Sequence, residues 1–456
     1  MKNLLYDHLN KRSQRLCRGV NVTLLGYGVS SKAAVDLLLD IPCVNTVTVR
    51  QPGLSDAGVP SKVKVIARAD AFDNICEDVI IPSPSIRRER LNIPRDAEFI
   101  SDYSLLFAKD PEILFSVSGS DGKSTTVSIA SLLLSPQFPK LFTGGNLGTP
   151  LWRADASADA FLLELSSFTL RYSVPHSTRA LLTNVTPNHL DWHADLDEYE
   201  GTKLALIKNA SEPILNLEDK VSESYAKSAS AFCLISDTIP HETIKALYKT
   251  EHTVTVENLR ICIDGEAVID LDKVKRHERH SILNLASAIA LSIGYTDKQR
   301  ICEVAESFDG LTERCERIRK DGITYISSSI DTTPQRTRTT LLGLGTEVRI
   351  ILGGRGKGLS LQPLREPLLR FAKRIGIYGE IGEELMRFIE DDAELSKIPH
   401  ERFSSMKDAF IYTTENVTVG ETVLLSPAAT SYGEFTSYIE RGKGFKTYIT
   451  EKHEKI

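Results

Sequence analysis

The sequence predicts an α/β chain of three domains. Two observations carry that prediction. At 456 residues the chain is longer than one hydrophobic core ordinarily serves, so two or three domains are expected. Short apolar runs closed by glycine or proline turns, each followed by a helical pattern, recur along it, and such alternation implies parallel, doubly wound sheets. The first run covers residues 22–25 and ends in Gly26-Tyr-Gly28, with a helix expected over 30–39 and further strands at 47–49 and 79–81. A second unit starts near Ile113, with apolar strands at 160–165 and 180–184, a mixed stretch over 216–272 that includes a strand-like run at 259–263, and a helix over 281–293. A third begins near Leu311, with strands at 348–352, 374–378 and 422–425. The boundaries that follow are 1–108, 109–310 and 311–456.

Apolar residues make up 41% and charged residues 25%, as in ordinary globular proteins. A formal charge of −6 leaves no basic excess for general nucleic-acid binding. The seven cysteines, Cys17, Cys43, Cys76, Cys233, Cys262, Cys302 and Cys315, are scattered and form no C-x-x-C pair, which fits reduced thiols rather than disulfides or a zinc site. The first residues, Met1-Lys-Asn-Leu-Leu-Tyr-Asp-His8, lack a signal-peptide core and no run reaches membrane-spanning length, so a cytoplasmic protein without membrane contact is expected.

The most informative stretch is Phe115-Ser-Val-Ser-Gly119-Ser-Asp-Gly122-Lys123-Ser124-Thr125-Thr126. It reads as a buried strand, a glycine turn and a helix start. Backbone N–H groups and the helix N-terminus favour anions there, Lys123 adds a full positive charge, and Ser124 offers a hydroxyl to Mg²⁺: a cradle for a nucleoside triphosphate. Val117 stands five residues before Gly122, so this is a shortened variant of the G-x-x-x-x-G-K-[ST] loop. Glu164 closes an apolar strand, where a carboxylate needs a partner or a metal, the alternative being a helix cap. His189 follows the next strand in Thr183-Asn-Val-Thr186-Pro-Asn188-His189-Leu-Asp191; it suits a divalent metal, with Asp191 to orient it, though a polar loop with incidental histidines reads equally. Lys203 lies on a helical pattern whose apolar positions suggest burial, but as an ammonium it cannot ligate a cation, and by itself it reads as a snorkelling surface lysine. Gly26-Tyr-Gly28-Val-Ser-Ser31 is a weak dinucleotide fingerprint. Its third glycine is a serine and the next strand ends in Arg50 rather than an acid, which disfavours a nicotinamide cofactor and leaves a phosphorylated nucleoside near Arg50.

In order along nearly the whole chain, these segments resemble the Mur ligases, ATP-dependent amide-forming enzymes of peptidoglycan synthesis. The markers are G-Y-G-V-S-S, Ser83-Pro84, G-S-D-G-K-S-T, Gly144-Gly-Asn146-Leu-Gly148, L-E-L-S-S-F, N-V-T-P-N-H-L-D, Tyr199 with Lys203, His280 with Asn284, Glu313-Arg314, G-G-x-G-K-G and L-L-S-P-A-A-T-S. The opening turn and the S-P-A-x-x-S ending resemble the members that add D-glutamate to UDP-N-acetylmuramoyl-L-alanine. The resemblance implies a Rossmann-like N-terminal domain for the UDP substrate, a central P-loop-type ATPase domain and a Rossmann-like C-terminal domain for the amino acid. By the same likeness Gly119, Ser120, Asp121, Gly122, Lys123, Ser124, Thr125, Asn284 and Arg314 hold ATP. Lys123, Glu164, His189 and Lys203 form the catalytic set. Ser124, Glu164, His189 and a carbamylated Lys203 serve two Mg²⁺ ions. Ser30 and Arg50 meet the UDP part, Asn146 and Ser166 line the muramoyl path, and Lys357, Ser431 and Tyr438 grip D-glutamate. A monomer is expected.

The chain also departs from the family pattern. The third-domain motif D-S-K-A-T-N-P stands here as Ser328-Ser329-Ile330-Asp331-Thr332-Thr333-Pro334, with Arg336 as a candidate for the missing cation. Asn188, Ser85 and Ala429 are further departures. A superfamily ligase with another acceptor, such as a folylpolyglutamate synthase, and a non-catalytic nucleotide-binding homologue stay open as alternatives.

Overall fold

The computed structural model describes residues 1–454 except 55–57, 147, 188–191, 276–278 and 357. Two compact units emerge, Met1–Phe308 and Asp309–Ile456. The first holds two sheets and the second holds one.

The first sheet comprises β1 (Val20–Leu25), β2 (Val44–Arg50), β3 (Lys64–Ile66), β4 (Val79–Pro82) and β5 (Glu98–Phe99), all parallel, in the order β3-β2-β1-β4-β5. Helix α1 (Lys2–Leu16), for which the sequence reading gave no expectation, buries Leu5, Leu9 and Arg12 against this unit. Helix α2 (Val29–Leu38) follows β1, and α3 (Asp102–Lys109) follows β5 behind a Ser101 capping box.

The second sheet orders as β14-β13-β12-β11-β10-β9-β6-β8-β7. Its strands are β6 (Leu114–Ser118), β7 (Leu141–Gly145), β8 (Ala160–Glu164), β9 (Ser177–Leu182), β10 (Ala210–Asn216), β11 (Ala231–Ser236), β12 (Thr250–Glu257), β13 (Arg260–Ile263) and β14 (Glu266–Asp270). Pairing is parallel up to β12, and β12-β13-β14 close antiparallel. β6, β8 and β11 are buried at every position; β8 and β11 accordingly read as apolar runs up to their last residue, while β6 buries Ser116 and Ser118 between its apolar residues. Alternation still assigns their faces. Phe161 and Leu163 of β8 join the core shared with the first sheet, while Ala160 and Leu162 join the core beneath α4 (Lys123–Leu134). Two further helices complete the site region: α5 (Ser167–Leu170) and α6 (Leu196–Lys208).

The third sheet, in the second unit, orders as β15-β16-β20-β17-β18-β19. It comprises β15 (Glu316–Lys320), β16 (Ile323–Ser327), β17 (Val348–Gly353), β18 (Ala372–Tyr378), β19 (His400–Phe403) and β20 (Thr422–Ala428), parallel apart from the β15-β16 hairpin. Apolar clusters cover both of its faces. Among the described residues no helix is long and apolar enough to cross a membrane.

Candidate active site

The glycine turn between β6 and α4 is fixed from both sides. Gly122 caps α4 at φ +82°, and a Cβ there would lie 2.3 Å from Asn284 Oδ1. Gly119 sits at φ +146°, and a Cβ there would lie 1.9 Å from Thr183 Oγ1. A side chain at either place would have to displace Asn284 or Thr183, and the backbone conformation itself favours glycine. The strand end after β9 braces the turn. Ser120 N donates to Asn184 O at 2.8 Å, Asp121 N to Asn184 Oδ1 at 3.0 Å, and Ser120 Oγ to Thr186 O at 2.9 Å. Tyr199 OH meets Ser120 Oγ at 2.8 Å. Lys123 opens α4 and folds back, its Nζ donating to Gly119 O at 2.8 Å and Ser120 O at 2.7 Å. Thr125 is half-buried in the first turn of α4, whose leading N–H groups have no intrahelical acceptor. Asn284, on the helix Arg279–Ser292, reaches the same turn and accepts from Thr126 Oγ1 at 3.5 Å. The structure therefore gathers the expected residues 119–125 and Asn284 around one loop.

Behind the loop lies a buried polar group. Glu164 is 2% exposed; its Oε2 accepts from Ser124 Oγ at 2.7 Å and its Oε1 from Asn146 Nδ2 at 2.9 Å. Lys203 is also 2% exposed. The cause is local: Tyr199, Lys203, Leu206 and Ile207 form one inward stripe of α6, which Asp195 caps by accepting from Glu198 N. Lys203 Nζ donates to Gly119 O at 2.7 Å and lies 3.5 Å from Ser118 Oγ. Burial first, and Lys123 second, hold its pKa well below the ordinary lysine value, against the pull of Asp121 and Glu164. Among the described residues no three His, Cys, Asp or Glu side chains cluster as a metal site. The Glu164 carboxylate and Ser124 hydroxyl are hard oxygen donors of the kind Mg²⁺ takes, so the pair fits that ion, with further donors needed. His189, Asp191 and Asn188 lie outside the described residues.

On the first sheet a cleft of about 200 Å³ opens beside the start of α2, lined by Gly28, Ser30, Pro82, Ser83, Asp102 and Trp152 among others. Ser30 is there as expected. Arg50 requires a correction. It is 4% exposed and does not line the cleft; its Nη2 grips both oxygens of Glu77 at 3.0 and 3.1 Å, and its Nη1 donates to Ala71 O and Asp73 O. A buried guanidinium needs acceptors, and Glu77 supplies them from within the fold. Asn146 stands at Glu164, and Ser166, two residues past Glu164, caps α5 by accepting from Thr169 N at 3.1 Å.

In the second unit, Ser431 is buried just past β20, and Tyr438 begins the helix Tyr438–Glu454. Lys357 lies outside the described residues. Arg314 follows Glu313, which is fully buried at φ +60° and held by Lys446 and Ser327. The altered motif is internally satisfied: Asp331 Oδ2 accepts from Thr340 Oγ1 and Ser426 Oγ, both at 2.7 Å. Arg336 Nη1 donates to Ile330 O at 3.1 Å. Nothing in the structure explains serine at 328.

Four residues were given no role from the sequence, although Asn184 and Tyr199 stand in motifs named above. Asn184 braces Asp121 from inside a quoted motif. Tyr199 holds Ser120. Asp102 floors the cleft. Arg441, 0% exposed, ties three loops together, donating to Ser329 O and Oγ, Ala429 O and Gly353 O. An arginine on an exposed-looking helix gives no sequence signal of such burial.

Comparison with known proteins bears on the whole arrangement. Residues 117–292 match the model of the Mur ligase middle domain. The UDP-N-acetylmuramoylalanine–D-glutamate ligase of Clostridium botulinum is 30% identical over 385 residues, covering 82% of each chain. That of Ruminiclostridium cellulolyticum is 28% identical over 468 aligned positions, covering 94% of this chain and 96% of the other. The crystal structure of UDP-N-acetylmuramate–alanine ligase from Thermotoga maritima shares the fold at a TM-score of 0.58 and 14% identity, over 95% of this chain and 100% of that one.

Proposed function

The chain belongs to the Mur ligase family and is an ATP-dependent ligase of the D-glutamate-adding kind; on that premise we propose how its residues divide the reaction. A carboxylate oxygen of UDP-N-acetylmuramoyl-L-alanine attacks the γ-phosphorus of ATP, and ADP leaves. The amine of D-glutamate then attacks the acyl phosphate carbon, phosphate departs, and the nitrogen loses a proton to leave the amide. Gly119–Thr125 and Asn284 hold the nucleotide phosphates, with Lys123 balancing charge on the transferred group. The observation that carries this reading is Lys203, a buried amine with a depressed pKa, 2.7 Å from the carbonyl of Gly119 in the phosphate loop.

A neutral Lys203 amine is a nucleophile. Its Nζ attacks the carbon of CO₂, one C=O electron pair moves to oxygen, and loss of a proton leaves a carbamate. The carbamate turns a repelling cation into an anionic oxygen donor. Ser124, Glu164, the Lys203 carbamate and His189 would then hold Mg²⁺, two ions in all, which when bound would neutralise charge on the phosphoryl oxygens. Ser30 and the cleft beside α2 take the UDP part, and Asn146 and Ser166 the muramoyl arm. Arg314 meets the nucleotide, and Lys357, Ser431 and Tyr438 take D-glutamate. The corresponding domains are 1–108, 109–310 and 311–456, each built on one sheet.

Phosphate release from ATP with Mg²⁺ and UDP-N-acetylmuramoyl-L-alanine tests the reading. Turnover is expected only when D-glutamate is added, and not with L-glutamate. Turnover indifferent to the amino acid, or none despite ATP binding, would overturn it in favour of another acceptor or a non-catalytic homologue.

A further inference from the structure

The cleft of the first sheet contains a carboxyl group to which the reaction above gives no role. Asp102 opens α3 and is 5% exposed. Two helix starts converge on the cleft: α2 brings Gly28, Val29 and Ser30, and α3 brings Asp102 with its cap Ser101. Asp102 Oδ2 lies 3.5 Å from Ser30 Oγ, and its Oδ1 accepts from Tyr103 N at 3.0 Å. Desolvation is the largest influence on it, and hydrogen bonds from Tyr103 N, its own N–H, the Ser30 hydroxyl and the Trp152 backbone oppose it.

The start of α2 is the natural seat for a diphosphate, since unpaired N–H groups and the helix dipole favour anions there. An ionised Asp102 on the same wall would repel that ligand. A protonated Asp102 would instead be a hydrogen-bond donor aimed into the cleft. Burial pushes its carboxyl up to about 7, so both forms are accessible near neutrality.

Resting on the reading of this cleft as the seat of the UDP substrate, we propose that Asp102 binds the substrate's diphosphate as a neutral carboxylic acid, so that binding above neutral pH takes up one proton. A diphosphate esterified at both ends keeps its two charges across this range, so the group that meets Asp102 does not itself titrate. The ionisable groups on neighbouring elements have partners of their own. The Met1 ammonium donates to Ala154 O, His8 and Arg12 of α1 meet Glu98, Lys32 of α2 lies over the Tyr27 ring, and Arg153 pairs with Asp36. Tyr103 beside it is buried, with its pKa raised well above 10, and stays neutral.

The test is calorimetric titration with UDP-N-acetylmuramoyl-L-alanine from about pH 6 to about pH 8.5, in buffers of different ionisation enthalpy. If only the protonated form binds, Kd rises about 30-fold across that range and uptake approaches one proton at the upper end. Asp102→Asn is expected to hold Kd within about threefold over the same range, with no linked proton. Proton uptake by the unmodified protein needs no variant, so a folding defect in Asp102→Asn leaves the test intact. Binding by the unmodified protein that ignores pH, or an equal pH slope in Asp102→Asn, overturns the proton but spares the cleft. Absence of binding at every pH removes the cleft reading and this proposal together.

Discussion

Among the described residues, each unit of the molecule buries one basic side chain that has no carboxylate in salt-bridge range, and the two are treated in opposite ways. Lys203 in the first unit has one short acceptor, Gly119 O, a distant hydroxyl, and Lys123 as a repelling neighbour. Arg441 in the second has its donors spread over Ser329 O and Oγ, Ala429 O, Gly353 O and the Tyr378 hydroxyl. Neither has a carboxylate within salt-bridge distance among the described residues. A lysine in that position has its charged form disfavoured, whereas an arginine keeps its charge and becomes a fixed pin. Residue type, acceptor count and the repelling Lys123 together set the two apart.

The largest effect is expected where the reactive side is removed. Lys203→Ala should lower ligase turnover by about a hundred- to a thousandfold while ATP still binds. A short carboxylate such as acetate, placed in the space left, should restore part of the activity by supplying the missing oxygen donor. Undiminished turnover in the variant would show that Lys203 is merely a buried amine and would dissolve the contrast with Arg441.

The structural side predicts a loss of stability instead. Arg441→Met leaves the carbonyls of Ser329, Gly353 and Ala429 without donors, at a cost of about 2–4 kcal/mol in denaturant unfolding of the second unit. Arg441→Lys keeps the charge but not the fork of donors, and should recover less than half of that. A Met variant as stable as the parent would mean that water or backbone adjustment serves those carbonyls equally well.

These two residues also mark where the sequence was legible. The phosphate loop could be read directly because its glycines, Lys123 and Ser124 are contiguous and each has a conformational or electrostatic reason to be there. The unbroken apolar strands placed the parallel sheets for the same reason. Lys203 read by itself as a snorkelling surface lysine, and only the family likeness gave it a metal-binding role; its contact with Gly119 spans 84 residues. Arg50 misled because a basic residue at a strand end looks like a ligand contact, while the partner that claims it, Glu77, lies 27 residues on. Arg441 was invisible, since its acceptor Ser329 is 112 residues away in the chain. Chemistry that is local in the chain can be read from it; charge compensation set by tertiary contacts cannot.

The smallest effect has the opposite sign from that of Arg441 and depends on pH. In CO₂-depleted buffer Lys203 is an unmodified amine, and its burial disfavours the charged form. Because its folded pKa is lowered from 10.5, the unfolded chain binds more protons between the folded value and 10.5, and stability rises with pH through that window. The cost of the lysine is therefore complete below the folded pKa and gone above 10.5. Lys203→Met, similar in shape and without charge, should stabilise the first unit by about 1 kcal/mol near neutral pH, and the gain should shrink as pH climbs. Denaturant unfolding of parent and variant at about pH 7 and about pH 9.5 checks both the sign and the slope. A destabilised Met variant would mean that the hydrogen bond to Gly119 outweighs desolvation, which would make Lys203 a pin of the same kind as Arg441.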